Sequence, residues 1–552
     1  MYNAFRGRIE RSEYSNQEKM SAQPLSTRIP IQVVTDAHSN QSLPKLKSRI
    51  TEELVIALVG PVGSGCTTAG ELIGTILEND YGYNVSYYRL SSFIASHASV
   101  VGEKINQGVD AADRITELQR IGDRLREECG HGYLAAKAVE AIAAEREQDG
   151  FGKSADGGEV PLSLRRVHII DSLKNPEELT LLRDTYGEMF WLFGVFAPES
   201  VRKERLEHDR RLGRDDLQAI INRDYREAHQ YGQNVRDVFH EADFFVRNDK
   251  ANNQTLRAAL TRYVEILFGY PVHTPISDES SMAAAHAEGS KSACLSRQVG
   301  AAIVSPAGEL IGLGRNDVPK FTGGLYSEDD SENDHRCFKW SGHCCHNDDK
   351  KSRLYQQIAE KLLERQLISS PALFGNVIEA LKETDVRSLI EYSRAVHAEM
   401  DAIVSVARAN KAGLAGGTLY ATTFPCHSCA RHIVASGITR VLYIEPYPKS
   451  LALDLHRDAI SDDESQASKK VLFLQYSGVA PKNMLTFFST RLTRKSEDGK
   501  LRTLDRRTAR PLVAVSLDDV PTHERMVIAE YAQNERKAAG AKQATLFGSE
   551  TT

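Results

Sequence analysis

The chain has 552 residues, more than one hydrophobic core usually serves, which predicts two substantial domains. Hydrophobic residues make up 41% and charged residues 26%, proportions that exclude a fibrous or wholly disordered protein. The net charge of -6 provides no broad cationic surface, so a long nucleic acid is not the expected substrate. The longest apolar stretch is too short for a membrane span and the N-terminus lacks a secretory pattern. We therefore expect a cytoplasmic protein that does not contact membranes.

The first half of the chain has the pattern of an α/β domain. Residues 1–48 are polar without periodicity, and we expect them to form a flexible arm. From Leu54 an apolar β-branched run leads into a glycine turn and then a helical pattern, which is the order of a βα unit. Further buried strands are predicted at 167–170 and 190–196. Strands that alternate with helices over residues 50–270 predict a doubly wound parallel sheet of the P-loop NTPase type.

The glycine turn reads GPVGSGCT and matches the P-loop spacing GxxxxGK[ST], except that Cys66 stands where a lysine is expected. Backbone amides of such a loop can still cradle phosphates, and Thr67 can still meet a magnesium ion. We expect no kinase activity, because the missing cation is the one that reaches the β- and γ-phosphates. A nucleotide site and a scaffold without ligand both stay open. The residues assigned to this degenerate nucleotide site are Gly60, Gly63, Ser64, Gly65, Cys66, Thr67 and Asp171.

The second half of the chain predicts a separate α/β/α domain. Residues 271–281 have the composition of a linker, and residues 282–485 form the predicted domain. It begins with a helix at 282–297 and a strand pair at 299–304 and 310–314, and it carries a helical insertion at about 348–393. Helix, strand, helix and strand then follow at 397–409, 418–422, 427–436 and 440–444. Residues 486–552 are charged and poorly patterned, and we expect this extension to be partly disordered.

Two short motifs in this domain point to zinc chemistry. His397 and Glu399 form an HxE motif, and Cys426 and Cys429 lie in a PCxxC motif further along the chain. Two thiolates and one imidazole would hold zinc and leave its fourth position open, as in a catalytic site. Zinc lowers the pKa of water to about 7. Glu399 lies two residues past a ligand at a helix start, where it can move protons between water, the base and the leaving amine.

Each motif alone has a plainer interpretation. A tripeptide such as HAE can occur by chance, and CxxC also occurs in structural zinc half-sites and redox pairs. The two motifs in this order, with Pro425 before Cys426 and helices and strands alternating around them, favour the zinc nucleobase deaminases.

The resemblance then becomes more specific. The segments GRNDVP, HAEMDAI, TLYATTFPCHSCARHI and EPY resemble the deoxycytidylate deaminase family over about residues 282–475. The family implies that Asn316 binds the sugar hydroxyl and that Tyr447 lies at the base pocket. Asn316 could instead be a turn residue with positive φ, and Tyr447 could serve packing alone.

Some members of the family carry a second, structural zinc, and a further group of residues in this chain matches its place. A closed site there would tie down a polar loop, whereas free cysteines on a mobile loop are the alternative. The candidate ligands are Cys294, Cys337, His343, Cys344, Cys345 and His346.

A P-loop domain ahead of a deoxycytidylate deaminase resembles the bacterial antiviral cytidine deaminases. That resemblance implies conversion of dCTP and dCMP to dUTP and dUMP in defence against phage, a homo-oligomer, and inhibition by a small noncoding RNA or through the P-loop domain. The implied cofactors are Zn2+ and, at the P-loop, Mg2+ with a nucleotide. A housekeeping dCMP deaminase, a polynucleotide deaminase and a catalytically silent binding protein are the alternatives. The acidic run at 328–334 disfavours a polynucleotide near this site.

Overall fold

The structure is a computed structural model and describes residues 50–106, 110–153, 159–210, 217, 219–221, 234–250, 252–447, 450–490, 493–513 and 515–548. The expected arm at 1–48 lies outside these residues. Two six-stranded sheets organise the remainder, and the predicted fold class, mixed α/β with parallel sheets, is confirmed. Among the described residues, no helix has the length and apolar character needed to cross a membrane.

The first sheet carries the P-loop. Its central strand is LVIALV, and all six residues are buried because helices cover both faces. The strands of this half are β1 (Ile50–Thr51), β2 (Leu54–Val59), β3 (Asn84–Arg89), β4 (Phe151–Lys153), β5 (Glu159–Pro161), β6 (Arg166–Leu173), β7 (Phe190–Phe196) and β8 (Phe244–Arg247). The spatial order of the sheet is β3, β6, β2, β7, β8, all parallel, with a sixth strand from late in the chain at the β8 edge.

The helices of this half follow glycine and asparagine signals. The first begins after Gly65 and ends at Gly82, both in the left-handed region that glycine adopts without strain. Asn175 and Glu178 form a capping box at the start of the helix Pro176–Tyr186, with Pro176 in its first turn. The helices are α1 (Cys66–Tyr81), α2 (Leu90–His97), α3 (Ala111–Cys129), α4 (Tyr133–Gln148), α5 (Pro176–Tyr186), α6 (Glu199–Arg210), α7 (Val235–Phe239) and α8 (Gln254–Phe268).

The second sheet carries the HxE and PCxxC motifs. The strands of this half are β9 (Gly300–Val304), β10 (Leu310–Arg315), β11 (Thr418–Thr423), β12 (Arg440–Glu445), β13 (Ile460–Ser461), β14 (Val471–Gln475), β15 (Gly478–Val479) and β16 (Val515–Ser516). The order of the sheet is β10, β9, β11, β12, β14, β13; the pairs on both sides of β9 are antiparallel and the others parallel. β15 instead completes the first sheet beside β8, and β16 pairs with β1.

Two helices of the second half, His346–Glu364 and Phe374–Lys382, lie in the region of the predicted helical insertion. The helices of this half are α9 (Ser277–Gly289), α10 (His346–Glu364), α11 (Phe374–Lys382), α12 (Ala398–Arg408), α13 (His427–Ala435), α14 (Ala452–Leu455), α15 (Met484–Phe488) and α16 (Val520–Gly548).

Two boundaries around α9 differ from the expectation. The predicted linker 271–281 runs into this helix, which begins at Ser277, because the buried Glu279 carboxylate accepts from the Ile276 amide and pairs with Arg262. The helix predicted at 282–297 ends at Gly289, where the chain passes so close to Gly300 that a Cβ at Gly300 would lie 1.9 Å from the Ala285 oxygen. Residues 290–299 are therefore a loop.

The extension after 485 was expected to be partly disordered, yet it contains the 29-residue helix α16. This helix packs against α4, where Arg146 pairs with the buried Glu524 and Tyr133 donates to Glu535. The contacts are non-local, and the charged sequence of the helix gave no sign of them. Together with β15, they join the end of the chain to the P-loop half.

Candidate active site

The predicted zinc ligands lie at the starts of two helices. His397 is the N-cap of α12, and Val396 before it donates to the Asp317 carbonyl, which pairs this segment with the loop after β10. Gly314 allows the close packing, because a Cβ there would lie 2.3 Å from the Ala398 oxygen. The end of β10 therefore fixes where α12 begins and where His397 lies.

The two cysteines lie beside it at the end of β11. Cys426 is the N-cap of α13, and its sulfur accepts from the Cys429 amide at 3.4 Å. One helical turn separates the cysteines, so both sulfurs face the same point. The positive end of the helix favours thiolates at this position.

These three side chains converge on one position. Among the described residues, they form the one group of three or more candidate ligands whose donor atoms all lie within 4.8 Å of one another. His397 Nδ1 is 3.3 Å from each sulfur. Zinc–sulfur bonds of about 2.3 Å and zinc–nitrogen bonds of about 2.0 Å separate tetrahedral ligands by roughly 3.5 Å, so the group fits zinc.

The protonation of the cluster matches that role. Hydrogen bonds from Cys429 and His397 lower the pKa of the Cys426 thiol, whereas the hydrogen bond to Cys426 and burial raise the pKa of the Cys429 thiol. The hydrogen bond to Cys426 raises the pKa of His397 to about 9. Metal binding displaces such protons, because zinc takes the deprotonated thiolate and neutral imidazole.

Glu399 lies in the first turn of α12, and its side chain is buried. Burial raises the pKa of its carboxyl group, with the imidazole of His397 acting in the opposite direction. A carboxyl group with a raised pKa binds a proton more readily than an exposed one, which suits a group that takes up and returns protons in general acid–base catalysis.

The two residues assigned to substrate by resemblance have different surroundings. The side-chain Oδ1 of Asn316 accepts from the backbone N–H of Val299 at 2.7 Å, and its Nδ2 donates to the backbone carbonyl of Arg297 at 2.7 Å. It is absent from the positive-φ residues among those described, so a turn requirement does not explain it. Tyr447 is half-buried against the core of this sheet, where burial and the nearby Cys426 raise its pKa.

From the sequence, Arg297 was not identified as a candidate site residue. Its guanidinium lies 5.9 Å from the Tyr447 ring centroid and pairs with Glu445 at 2.9 Å, while 40% of its side chain stays exposed. It was missed because a helix was expected to continue through residue 297. The loop places this cation beside the aromatic ring next to the ligand cluster.

The candidate ligands of a second zinc do not form a comparable group in the described residues. Cys294 and Cys345 are near enough to raise the pKa of Cys337 together with burial, the larger cause. Cys344 Sγ is 3.9 Å from His346 Nδ1, and His343 instead bonds the Phe338 carbonyl. A second zinc stays a prediction.

The P-loop residues span the turn between β2 and α1, in which Gly63 and Gly65 have positive φ, and the first two residues of α1. Thr67 Oγ1 donates to Asp171 Oδ2 at 2.7 Å, which joins the helix start to the end of β6. Asn248 donates to the Ser64 carbonyl at 2.8 Å. Arg202 and Arg205 bond the carbonyls of Val62 and Gly63.

Comparison with known proteins supports the zinc domain. Residues 275–445 match the family model of the cytidine and deoxycytidylate deaminase zinc-binding region. The deoxycytidylate deaminase of Enterobacteria phage T2 is 44% identical over 55 residues, which cover 10% of this chain and 29% of the phage protein. The match thus spans less than a third of that relative.

A second relative matches a longer part of the chain. A UPF0200 protein of Halobacterium salinarum is 29% identical over 184 residues, 32% of this chain and 83% of the archaeal protein. Among solved structures, cyanophage S-TIM5 dCMP deaminase with dCMP and dUMP is 18% identical, with coverage of 37% and 99% and a TM-score of 0.22. Shikimate kinase of Bacteroides thetaiotaomicron is 14% identical, with coverage of 38% and 96% and a TM-score of 0.23. Identities and scores this low bear on neither substrate nor mechanism.

Proposed function

We propose that the protein is a zinc-dependent hydrolase that deaminates the cytosine of free deoxycytidine nucleotides, dCTP, dCMP or both. The observation that carries the proposal is the convergence of His397, Cys426 and Cys429 beside the buried Glu399. This is the residue set of the zinc nucleobase deaminases, and the matching family model covers the same motifs.

In the proposed mechanism, His397, Cys426 and Cys429 hold the zinc. When bound, zinc makes water acidic enough to act as a nucleophile at C4 near neutral pH. Glu399 takes a proton from water and delivers it to N3 of cytosine. Glu399 then takes the proton of the hydroxyl newly bonded to C4 and transfers it to the amino group. The C4–N bond breaks, ammonia leaves, and the C4 oxygen becomes the carbonyl of uracil.

A free nucleotide suits the surroundings of the cluster better than a polynucleotide. Arg297 offers one partly exposed cation beside Tyr447, which fits a single phosphate-bearing ligand. Acidic residues populate the 3-10 turn Glu328–Asn333, and they would repel a long phosphate backbone. Arg336 joins this turn to Asp317, which pairs with Val396 next to the candidate ligand His397. Polynucleotide deamination remains the rival class.

A substrate panel tests the proposal. The wild-type chain is incubated with dCMP, dCTP, cytidine, single-stranded DNA and RNA, and the products are separated by chromatography. Uracil nucleotides should form from dCMP or dCTP. Glu309→Ala, a carboxylate removed from the exposed β9–β10 turn, should behave as wild type, whereas Glu399→Ala should be inactive. Deamination confined to the polynucleotides would contradict the proposal.

The biological part of the proposal follows from the two-domain resemblance. We infer that the reaction depletes dCTP during phage infection, in a homo-oligomer restrained by a small noncoding RNA; a housekeeping supply of dUMP is the rival role. Nucleotide pools measured in infected cells that express wild-type or Glu399→Ala protein distinguish these roles. A loss of dCTP that appears only after infection and only with wild type supports defence.

A further inference from the structure

Lys174 lies beside the P-loop because of the register between two parallel strands. The last pair between β2 and β6 joins Val59 to Leu173, so the next residues, Gly60 and Lys174, leave the sheet side by side. The Lys174 ammonium donates to the Gly60 carbonyl at 3.1 Å. A lysine from another strand therefore contacts the first residue of the loop that lacks its own.

A bulge at the end of β6 accompanies this arrangement. Between the pairs Ala57–Ile170 and Val59–Leu173, β6 has one residue more than β2, and Ser172 adopts a φ of +72°. Asp171 on one side of Ser172 accepts the Thr67 hydroxyl, and Lys174 on the other reaches Gly60. One strand end thus supplies both an acid and a cation to the loop.

Cys66 cannot supply that cation. Its side chain is buried, and its sulfur lies 3.5 Å from the Ser64 hydroxyl. A P-loop needs a positive group at its phosphates, since backbone amides alone leave much of the polyphosphate charge unbalanced.

We propose that Lys174 replaces the missing P-loop lysine and that this site binds the polyphosphate of a magnesium-bound nucleoside di- or triphosphate. Lys174 contacts the phosphates from the β6 side, while Thr67 and Asp171 flank the magnesium ion. The inference concerns binding at the P-loop and does not rest on the deamination chemistry.

The adjoining cavity has the size and charge for such a ligand. It is open to solvent, has a volume of about 1550 Å3 and is lined by the whole P-loop together with Lys174, Arg89, Arg114, Arg205 and Asn248. A single inorganic phosphate would leave most of this volume empty, whereas a nucleotide fits within it. The lysines and arginines on its wall outnumber the acids Asp171, Glu204 and Asp249, which favours a polyanion.

The plainer interpretation is that Lys174 only ties β6 to the loop. The two roles are separable, because a structural lysine affects stability in the absence of ligand, and a phosphate-binding lysine affects affinity and its dependence on phosphate number. Lys411 is a matched control: its ammonium donates to the Ile311 carbonyl at 3.1 Å in the deaminase half.

Isothermal titration calorimetry on the full chain tests the proposal, with MgADP and inorganic tripolyphosphate plus Mg2+ as probes. ADP carries no cytosine, so the deaminase site is not its target. Lys174→Met should weaken MgADP binding roughly tenfold to a hundredfold, Lys174→Arg should restore part of it, and Lys411→Met should bind as wild type. Thermal unfolding without ligand should be alike in Lys174→Met and Lys411→Met. Absence of binding to the wild type, or unchanged affinity in folded Lys174→Met, overturns the proposal.

A second variant tests the replacement itself. Adding Cys66→Lys to Lys174→Met restores a lysine at the usual place, and MgADP affinity should recover toward the wild-type value. A folded double variant that binds as weakly as Lys174→Met contradicts the replacement. Neither result depends on activity of the deaminase site, so failure here and failure of the deamination proposal are distinguishable.

Discussion

The Arg297 guanidinium lies over the Tyr447 ring, 5.9 Å from its centroid, and Glu445 holds it at 2.9 Å. The two residues come from segments about 150 positions apart, the loop before β9 and the loop after β12. Their contact places a cation and an aromatic face together beside Cys426, whose charge contributes to the raised pKa of Tyr447. A nucleotide can use both features, because its base stacks on an aromatic ring and its phosphate pairs with an arginine.

Arg297→Met should therefore raise the KM for dCMP and dCTP about tenfold or more, because one charge-assisted bond to phosphate is lost. Cytidine, which has no phosphate, should be affected much less. Steady-state kinetics with the three substrates measure this difference. Arg457→Met, at an exposed ion pair with Asp454, is the control, and an equal loss for cytidine would assign Arg297 to structure instead.

Glu399→Gln should keep the fold and the zinc but lower kcat by about a hundredfold to ten-thousandfold, because the amide cannot accept and return the proton. Zinc content, thermal unfolding and turnover are measured on the same sample. A folded, zinc-loaded variant that retains more than about a tenth of wild-type turnover would remove the proton-transfer role.

Removal of the two cysteines tests the metal site. Cys426→Ala with Cys429→Ala should abolish tight zinc binding at this position and deamination with it, because a single imidazole does not hold zinc in a catalytic site. Elemental analysis measures the loss. Cys344→Ala with Cys345→Ala is the matched pair: unchanged zinc in that variant argues against a second site, and loss of one further zinc per chain supports it.

The Arg146–Glu524 pair should be important for stability. Arg146→Met leaves Glu53 and Glu524 buried without their shared cation, which should cost about 3–5 kcal/mol of unfolding free energy. Urea unfolding measures the change. Arg457→Met again serves as the control and should have little effect. Equal stabilities of the two variants would show that α16 is held by other contacts.

Acid should remove the stability that Glu53 contributes to this region, whereas Glu524, whose pKa burial raises, acts in the opposite direction. Burial raises the pKa of Glu53, but Arg146 and His168 outweigh it and lower the pKa from 4.5 to about 2. The native state thus binds fewer protons than the unfolded state, so this contribution is complete above about pH 4.5 and is lost as the pH falls toward about 2. In Arg146→Met the loss should begin at higher pH, because burial is then less opposed. Urea unfolding at several pH values across this range checks the shift.

The local elements were largely readable from the sequence. The strand predicted at 190–196 matches β7 residue for residue, and the helices and strands around HxE and PCxxC agree within about two residues at their ends. Hydrophobic period and flanking turn residues are local, so they mark such elements well. The candidate ligands were named for the same reason, because their spacing is tied to one helical turn or one helix start.

Non-local pairing decided the remainder. The sequence placed Lys174 no nearer to the P-loop than any other lysine; the β2–β6 register brought it to Gly60. Arg297 reached Tyr447 because α9 stops at Gly289 and leaves a loop. The charged final helix is positioned by the pair between its Glu524 and Arg146, which lies 378 residues earlier in the chain. Motif spacing by itself determined the candidate ligands and the chemistry proposed for them. The tertiary structure decided which distant charges surround these ligands, because strand register and helix docking depend on contacts that no local pattern contains.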